Sequence, residues 1–310
     1  MLPFVVAKSS NYFDISKEKC NFAVEKCTII MDNEKIPLLD CPVDYILGEA
    51  SGKLLNEYGR FPCKIKCGVY AFIAKGSAYA TVNITRYHFA AQDILYIEPG
   101  SFLLIHEFSE DALVRYIVFS SSFLEKNTYG MRRQLTPLQG RKPMIHMTDE
   151  QASVVMHFSD VLTEGINCTP NFLNAERMVP IFNLIQSMYF DYFMSSTNAV
   201  TQVSDRKSEI YQEYSNLVMQ HYHEWHHVSQ YAEAMRMTMP HLCASIKAVS
   251  GRTAGDLITD ALLMDAKAQL KVTSTPIKEI SISLGFDNVA FFNRFFKTHT
   301  GCTPKVYRLN

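Results

Sequence analysis

The sequence lacks several features that mark membrane, exported or redox proteins. Its longest apolar runs are cut by charges well short of the ~18 residues a membrane-spanning helix needs. The first residues, MLPFVVAKSSNYFD, have neither a basic start nor a small-residue cleavage site. No signal peptide is expected, and a cytoplasmic location follows. None of the eight cysteines (Cys20, Cys27, Cys41, Cys63, Cys67, Cys168, Cys243 and Cys302) falls in a CxxC pair, and only Cys63 and Cys67 are close together. Buried reduced thiols fit that spacing better than disulfides or zinc. Net charge is also nearly absent, with 30 Lys and Arg against 31 Asp and Glu. A strongly basic protein that coats nucleic acid all over is therefore excluded.

The charge that is present is unevenly placed. Residues 205–310 hold 12 basic and 10 acidic side chains, leaving 18 and 21 for the rest. From Lys271 onward there are six basic residues and two acidic ones, and six of the ten histidines follow residue 205. This local excess permits a DNA partner. The length of 310 residues has room for about two domains, and 47% apolar residues are enough for ordinary cores.

Between residues 60 and 120 the apolar pattern has a period of two. Turn signals interrupt it at Lys75-Gly76, Ala91-Gln92-Asp93, Glu98-Pro99-Gly100 and Ser109-Glu110-Asp111. Short strands at this spacing predict an antiparallel barrel or sandwich. From about residue 149 the period changes to that of helices, over 149–166 and 171–194, the second with a kink expected at Pro180. The apolar stripe of that second helix needs a partner: its own barrel, or the same helix of a second subunit. Residues 195–207 are small and polar, which suits a linker. Everything after them reads as helices.

The last hundred residues contain a repeat. IKAVSGRT (246–253) and FKTHTGCT (296–303) share Lys247 with Lys297, Ser250 with Thr300, Gly251 with Gly301 and Thr253 with Thr303, at an offset of 50. Thr238 and Asn288 keep that offset and stand where a helix cap is expected, and each glycine stands where a helix should stop. A short amphipathic segment precedes each copy, 229–237 and 277–286, with one residue of slack in the turn. Each unit is then helix, tight turn, helix. A helix of about 17 residues, ~25 Å long at 1.5 Å per residue, joins them.

The second unit contains FFNRFF, and Phe291, Phe292, Phe295 and Phe296 are expected to share one buried face. A base-stacking platform would interleave aromatic and basic residues; here they are segregated, so the opposite face is expected to read. A short helix held behind a tight turn suits the major groove. Two units on a rigid connector would reach successive groove segments about 34 Å apart.

These residues resemble a known family. The stretch 228–308, and IKEISISLGFDNVAFFNRFFKTHTGCTPKVYR within it, looks like the DNA-binding domain of AraC/XylS-type transcription regulators. The resemblance covers about a third of the chain and implies an α+β protein of two domains. Residues 1–194 would be an N-terminal antiparallel, cupin-like β-barrel with helices, sensing a ligand and mediating dimerisation. Residues 195–207 would be the linker, and 208–310 an all-α domain of two helix-turn-helix units. The implied function is an activator or repressor that binds double-stranded DNA as a homodimer. It would answer to a small-molecule effector, with RNA polymerase a candidate partner and no cofactor or metal. In the first unit the expected contact residues are Met239, Pro240, His241, Cys243, Ala244 and Lys247. Pro240, Cys243 and Ala244 depart from the polar side chains common there, so methyl contacts, DNA shape and phosphate anchoring would replace hydrogen bonds. In the second they are Asn288, Val289, Ala290, Asn293, Arg294 and Lys297, with Arg294 suited to guanine and Asn293 to adenine. Thr275, with Ser274 near a helix start, would offer amides to a phosphate.

Other readings of the residues remain open. The barrel is alternatively a cupin-type enzyme, although His88 and His106 stand 18 residues apart with no HxH pair between them. Tyr79, Tyr87, His88, Tyr96, His106 and Arg115 are candidates to line a ligand pocket, subject to the strand register. HYHEWHHV (221–228) lacks HExxH order and reads better as a solvated helix end than as a metal site. A helical adaptor using the aromatic face is a third alternative, which burial of the four phenylalanines would remove.

Overall fold

The computed structural model describes residues 29–30, 38–41, 43–58, 61–127, 143–169, 172–200 and 206–309. Among the described residues eleven strands lie in the N-terminal part: β1 (Ile29–Ile30), β2 (Leu38–Leu39), β3 (Tyr45–Ser51), β4 (Cys63–Ile65), β5 (Gly68–Lys75), β6 (Ser77–Val82), β7 (Thr85–Ala90), β8 (Asp93–Ile97), β9 (Phe102–Phe108), β10 (Leu113–Phe119) and β11 (Met144–His146). They form two sheets, one ordered β1-β2-β4-β9-β6-β7 and the other β11-β8-β5-β10-β3. All pairings are antiparallel except β2 with β4. The expected, largely antiparallel N-terminal architecture is present as two facing sheets, and among the described residues no ladder joins one sheet to the other. Alternation along a strand records which face is buried, and it carries no information about whether the edge strands meet.

The alternation itself is realised. In β5, Val69, Ala71 and Ile73 pack between the sheets, while Tyr70 and Phe72 point the other way, onto helices. Strand β8 is buried throughout, with Leu95 and Ile97 on the inner side and Ile94 and Tyr96 on the helical side. The helical layer is α3 (Asp149–Cys168) and α4 (Ala175–Val200), preceded by the short helices α1 (Gly52–Tyr58) and α2 (Ser121–Asn127). Helix α3 begins in a capping box, with Thr148 accepting from the amide of Gln151 and the Gln151 side chain accepting from the amide of Thr148. Helix α4 runs on to Val200, over the first half of the expected linker, and residues 201–205 lie outside the described residues. Pro180 sits inside α4 near its start.

Seven helices follow: α5 (Arg206–His221), α6 (Val228–Ala234), α7 (Met239–Ser250), α8 (Ala254–Val272), α9 (Ile277–Ser283), α10 (Val289–Thr300) and α11 (Pro304–Leu309). They share one core with a corner of the first sheet, since Phe102 and Ile84 join Tyr214, Tyr231, Leu242, Ile246, Leu257, Phe292 and Phe296. Phe102 meets Tyr222 edge to face at 6.4 Å, and the Thr85 and Tyr211 hydroxyls lie 3.0 Å apart. Cys63, Cys168, Cys243 and Cys302 take part in no disulfide. No helix among the described residues is long and apolar enough to cross a membrane.

Candidate nucleic-acid interface

The two units are built alike. Helix α6, a turn and α7 form the first; α9, a turn and α10 form the second. Helices α7 and α10 are each 12 residues long and begin at the same repeat position. Both end in a left-handed glycine, Gly251 at φ 71° and Gly301 at φ 81°, whose amides donate to the carbonyls of Lys247 and Lys297 at 2.9 Å. That conformation costs a residue with a Cβ about 1–2 kcal/mol, which accounts for glycine at both stops. The caps at the starts differ. Asn288 Oδ1 accepts from the amide of Ala290 at 2.7 Å, whereas Thr238 makes no side-chain cap bond.

The single residue of slack lies in the turns. Tyr231 and Ala232 of α6 are buried as Ile280 and Ser281 of α9 are, at an offset of 49. The left-handed turn residue is Arg236 in the first unit and Gly285 in the second, again 49 apart. Glycine is required at the second position for a further reason. A Cβ there would stand 2.0 Å from the carbonyl oxygen of His223.

Helical geometry separates the two faces of α10. With 100° per residue and Phe291 at 0°, the buried Phe292 and Phe296 lie near 100° and 140°. The half-buried Phe295 and Asn293 flank them near 40° and 200°. Lys297, Ala290, Arg294 and Thr298 occupy the exposed arc from about 240° to 340°. Phe291 falls on the same side and is 67% exposed. The expectation of four buried phenylalanines is thus corrected: two are fully buried, Phe295 is at the edge, and Phe291 faces out. A ring about 120° from the centre of the buried stripe lies beyond the reach of the core.

Helix α7 repeats the pattern. Leu242, Ser245 and Ile246 are buried and Cys243 is half-buried, while Met239, Pro240, His241, Ala244 and Lys247 are exposed. Of the sequence-derived contact residues, Ala290, Arg294 and Lys297 share the exposed side of α10, Asn288 is exposed as its N-cap, and Val289 is partly covered at its start. Cys243 and Asn293 sit at the margin because each follows a buried core residue directly. Thr275 has less to offer than expected. Its amide donates to Thr273 Oγ1 at 3.3 Å, and its carbonyl accepts from the Arg308 guanidinium at 2.6 Å.

A buried polar network ties α8 to the second unit and to the segment that follows α5. The Tyr222 hydroxyl donates to Asp265 Oδ2 at 2.7 Å, Gln269 Nε2 donates to Asp265 Oδ1 at 3.0 Å, and Ser283 Oγ donates to Gln269 Oε1 at 3.2 Å. Asp265 and Gln269 are buried in α8, so these bonds offset the cost of removing both groups from water. Burial and the Asp265 carboxylate push the Tyr222 phenol far above its ordinary range, so it remains a donor. In the histidine-rich segment, His221 stacks on Trp225 at 4.0 Å and His226 Nε2 lies 3.1 Å from the carbonyl of Leu284.

The six candidate pocket residues do not converge. Tyr79 and His88 pack together at 4.6 Å, with the Arg86 guanidinium 5.6 Å from the Tyr79 ring, on an exposed face. Arg115 is held by Glu49 at 3.0 Å and Asp160 at 2.5 Å, which ties β10 to β3 and α3. Tyr87 and Tyr96 border a cavity of about 50 Å³ with Glu98, Tyr189 and Ser215. Burial pushes the Tyr87 phenol up to about 12. His106, 2.7 Å from Thr81 Oγ1, instead borders a cleft of about 550 Å³ between the first sheet and the helices. Burial and Arg86 lower its pKa. The opposite wall of that cleft includes Tyr211, Arg252 and Lys267, which sequence pattern could not bring together with a strand residue.

Residues 231–310 match the family model described as a helix-turn-helix domain. A 70-residue stretch is 33% identical to a probable transcription factor, PqrA, of Proteus vulgaris, covering 23% of this chain and 57% of that one. The chain thus spans less than two thirds of the length of that curated relative. Among solved structures, the C-terminal domain of AraT, a response regulator from Geobacillus stearothermophilus, is 26% identical. It covers 34% of this chain and 87% of its own, with a TM-score of 0.32. ToxT of Vibrio cholerae is 14% identical and covers 86% of this chain and 97% of its own, with a TM-score of 0.36. Residues 231–310 therefore carry an AraC-type helix-turn-helix domain.

Proposed function

We propose that this chain is a cytoplasmic transcription regulator that binds double-stranded DNA sequence-specifically, with α7 and α10 as recognition helices. The observation that carries the reading is the structural repeat. Two helices fifty residues apart turn equivalent arcs outward, with Lys247 and Lys297 at the same position in each. The proposed readers are Met239, Pro240, His241 and Ala244 on α7, and Ala290, Asn293 and Arg294 on α10. Lys247 and Lys297 contact phosphate. The division into a sensing part to residue 194, a linker at 195–207 and a DNA-binding part from 208 belongs to the same reading, with α4 extending into the linker.

A small-molecule effector completes the proposal. The 550 Å³ cleft is of the size such ligands occupy, whereas the 50 Å³ cavity beside Tyr87 and Tyr96 holds little more than water. Dimerisation through the helical layer is supported by Val154 and Val161 on α3 and by Leu184 and Met194 on α4, all exposed. Selection of bound sites from random duplex DNA by the full chain, with and without candidate metabolites, tests the reading. Recovery of a two-part site with segments about 10 bp apart is expected. Failure to enrich any sequence would overturn it.

A further inference from the structure

Phe291 is the one large apolar side chain on the exposed arc of α10, and nothing in the fold uses it. Phe286 lies 5.4 Å from Phe292 and 5.2 Å from Phe295, and Phe292 lies 6.0 Å from Phe296; Phe291 takes no part in this cluster. Single exposed apolar residues are common on protein surfaces and need no explanation by themselves. The surroundings of this one narrow its role. Arg294, one helical turn on, and Ala290 beside it belong to the arc assigned above to DNA, and α10 contains no acidic residue. The partner of that arc is accordingly anionic, and within an anionic duplex the apolar feature accessible from the major groove is the thymine 5-methyl group.

We propose that Phe291 reads thymine, packing its ring against one or more 5-methyl groups beside the base contacted by Arg294. This rests on α10 being a recognition helix. It adds a specificity-determining residue that acts by burial of methyl groups and not by hydrogen bonds. The chemistry also distinguishes the two units, because the equivalent position in α7 is His241, a polar side chain that is likewise exposed. The two halves of the binding site therefore differ, with thymine favoured in the half read by α10.

The test uses the duplex selected by the full-length protein and the same duplex with deoxyuridine replacing thymine, which removes the 5-methyl groups and leaves base pairing intact. The wild-type protein should bind the deoxyuridine duplex more weakly, by roughly fourfold for each methyl it buries. Phe291→Ala should bind both duplexes alike, and Phe291→Leu should keep part of the discrimination. Because the ring is exposed, both variants should melt with the wild type. Equal weakening of Phe291→Ala on the two duplexes overturns the proposal while leaving α10 as a DNA-binding helix. Unchanged DNA binding with lost transcription also overturns it and assigns the ring to a protein partner. If Arg294→Ala and Lys297→Ala change no affinity either, the underlying assignment of α10 fails as well.

Discussion

Glu98 places a pH-sensitive cost inside the N-terminal part. It follows β8, borders the 50 Å³ cavity with Tyr96, Tyr189 and Ser215, and burial pushes its carboxyl from 4.5 up to about 7. The folded state thus favours the protonated acid. In the unfolded chain the group ionises near 4.5, so between about pH 4.5 and pH 7 folding takes up a proton. Stability due to this group is fully present below pH 4.5, declines as pH rises through that window, and levels off above pH 7. A shift of about 2.5 units corresponds to about 3 kcal/mol at 1.36 kcal/mol per unit. Glu98→Gln keeps the shape and removes the ionisation. Urea unfolding of both proteins, followed by far-UV circular dichroism at pH 5 and pH 8, isolates the effect, because every other group is common to both. The variant should match the wild type at pH 5 and exceed it by about 2–3 kcal/mol at pH 8. An identical pH dependence in the two proteins would show that Glu98 remains ionised in the fold, and the reasoning from burial would be wrong.

Three further outcomes are expected. Arg294→Ala should weaken binding to the selected site by about 1–3 kcal/mol and relax preference at one base pair, read by repeating the selection with the variant. Lys247→Ala and Lys297→Ala should each weaken all sequences alike and lower the slope of log affinity against log salt by about 0.9, measured by titration across salt concentrations. Gly285→Ala should destabilise far more than Gly301→Ala. A methyl at 285 meets the His223 carbonyl, while nothing lies within 4 Å at 301, where only the left-handed backbone cost of about 1–2 kcal/mol applies; thermal melts of the two variants decide it.

The parts of this fold that were legible in the sequence are those set by local chemistry. Gly251 and Gly301 announced two helix stops because no other residue adopts that backbone so readily. The turn signals at Gly76, Gln92, Gly100 and Ser109 announced strand ends for the same kind of reason. The hairpin turn at Asn83, in the left-handed region at φ 57°, has no such signal because Asn83-Ile84 sits inside an unbroken alternation. Strand β11 is not legible either, being three residues long and held by pairing with β8 across a long separation. The recognition faces were half legible. Spacing of one, four and five groups the phenylalanines, but only the angular position of each on the helix shows that Phe291 lies past the edge of the buried stripe. His106 and Arg252 were beyond any sequence argument, since the cleft they border exists only after the sheet and the helices have docked.

That docking bears on how the two readers work together. Helix α8, expected as a connector between units, is buried over nearly its whole length, with Ala261, Ala266, Ala268 and Leu270 fully covered. A helix in that position cannot act as a hinge without exposing the shared core. Its polar residues reinforce this, because separating α9 from α8 would break the Ser283 bond to Gln269, and moving Tyr222 away would leave the buried Asp265 short of a partner. The two units are consequently one cooperative body, and that body continues into the sheet through Phe102, Ile84 and the Thr85–Tyr211 contact. A ligand entering the cleft beside Arg252 would touch the residue that follows the stop of α7 and, on the opposite wall, strand residues of the first sheet. Under the proposed function, a signal from that cleft would reach DNA as a change in how this whole body sits on the sheet, because moving α7 or α10 alone would expose the shared core.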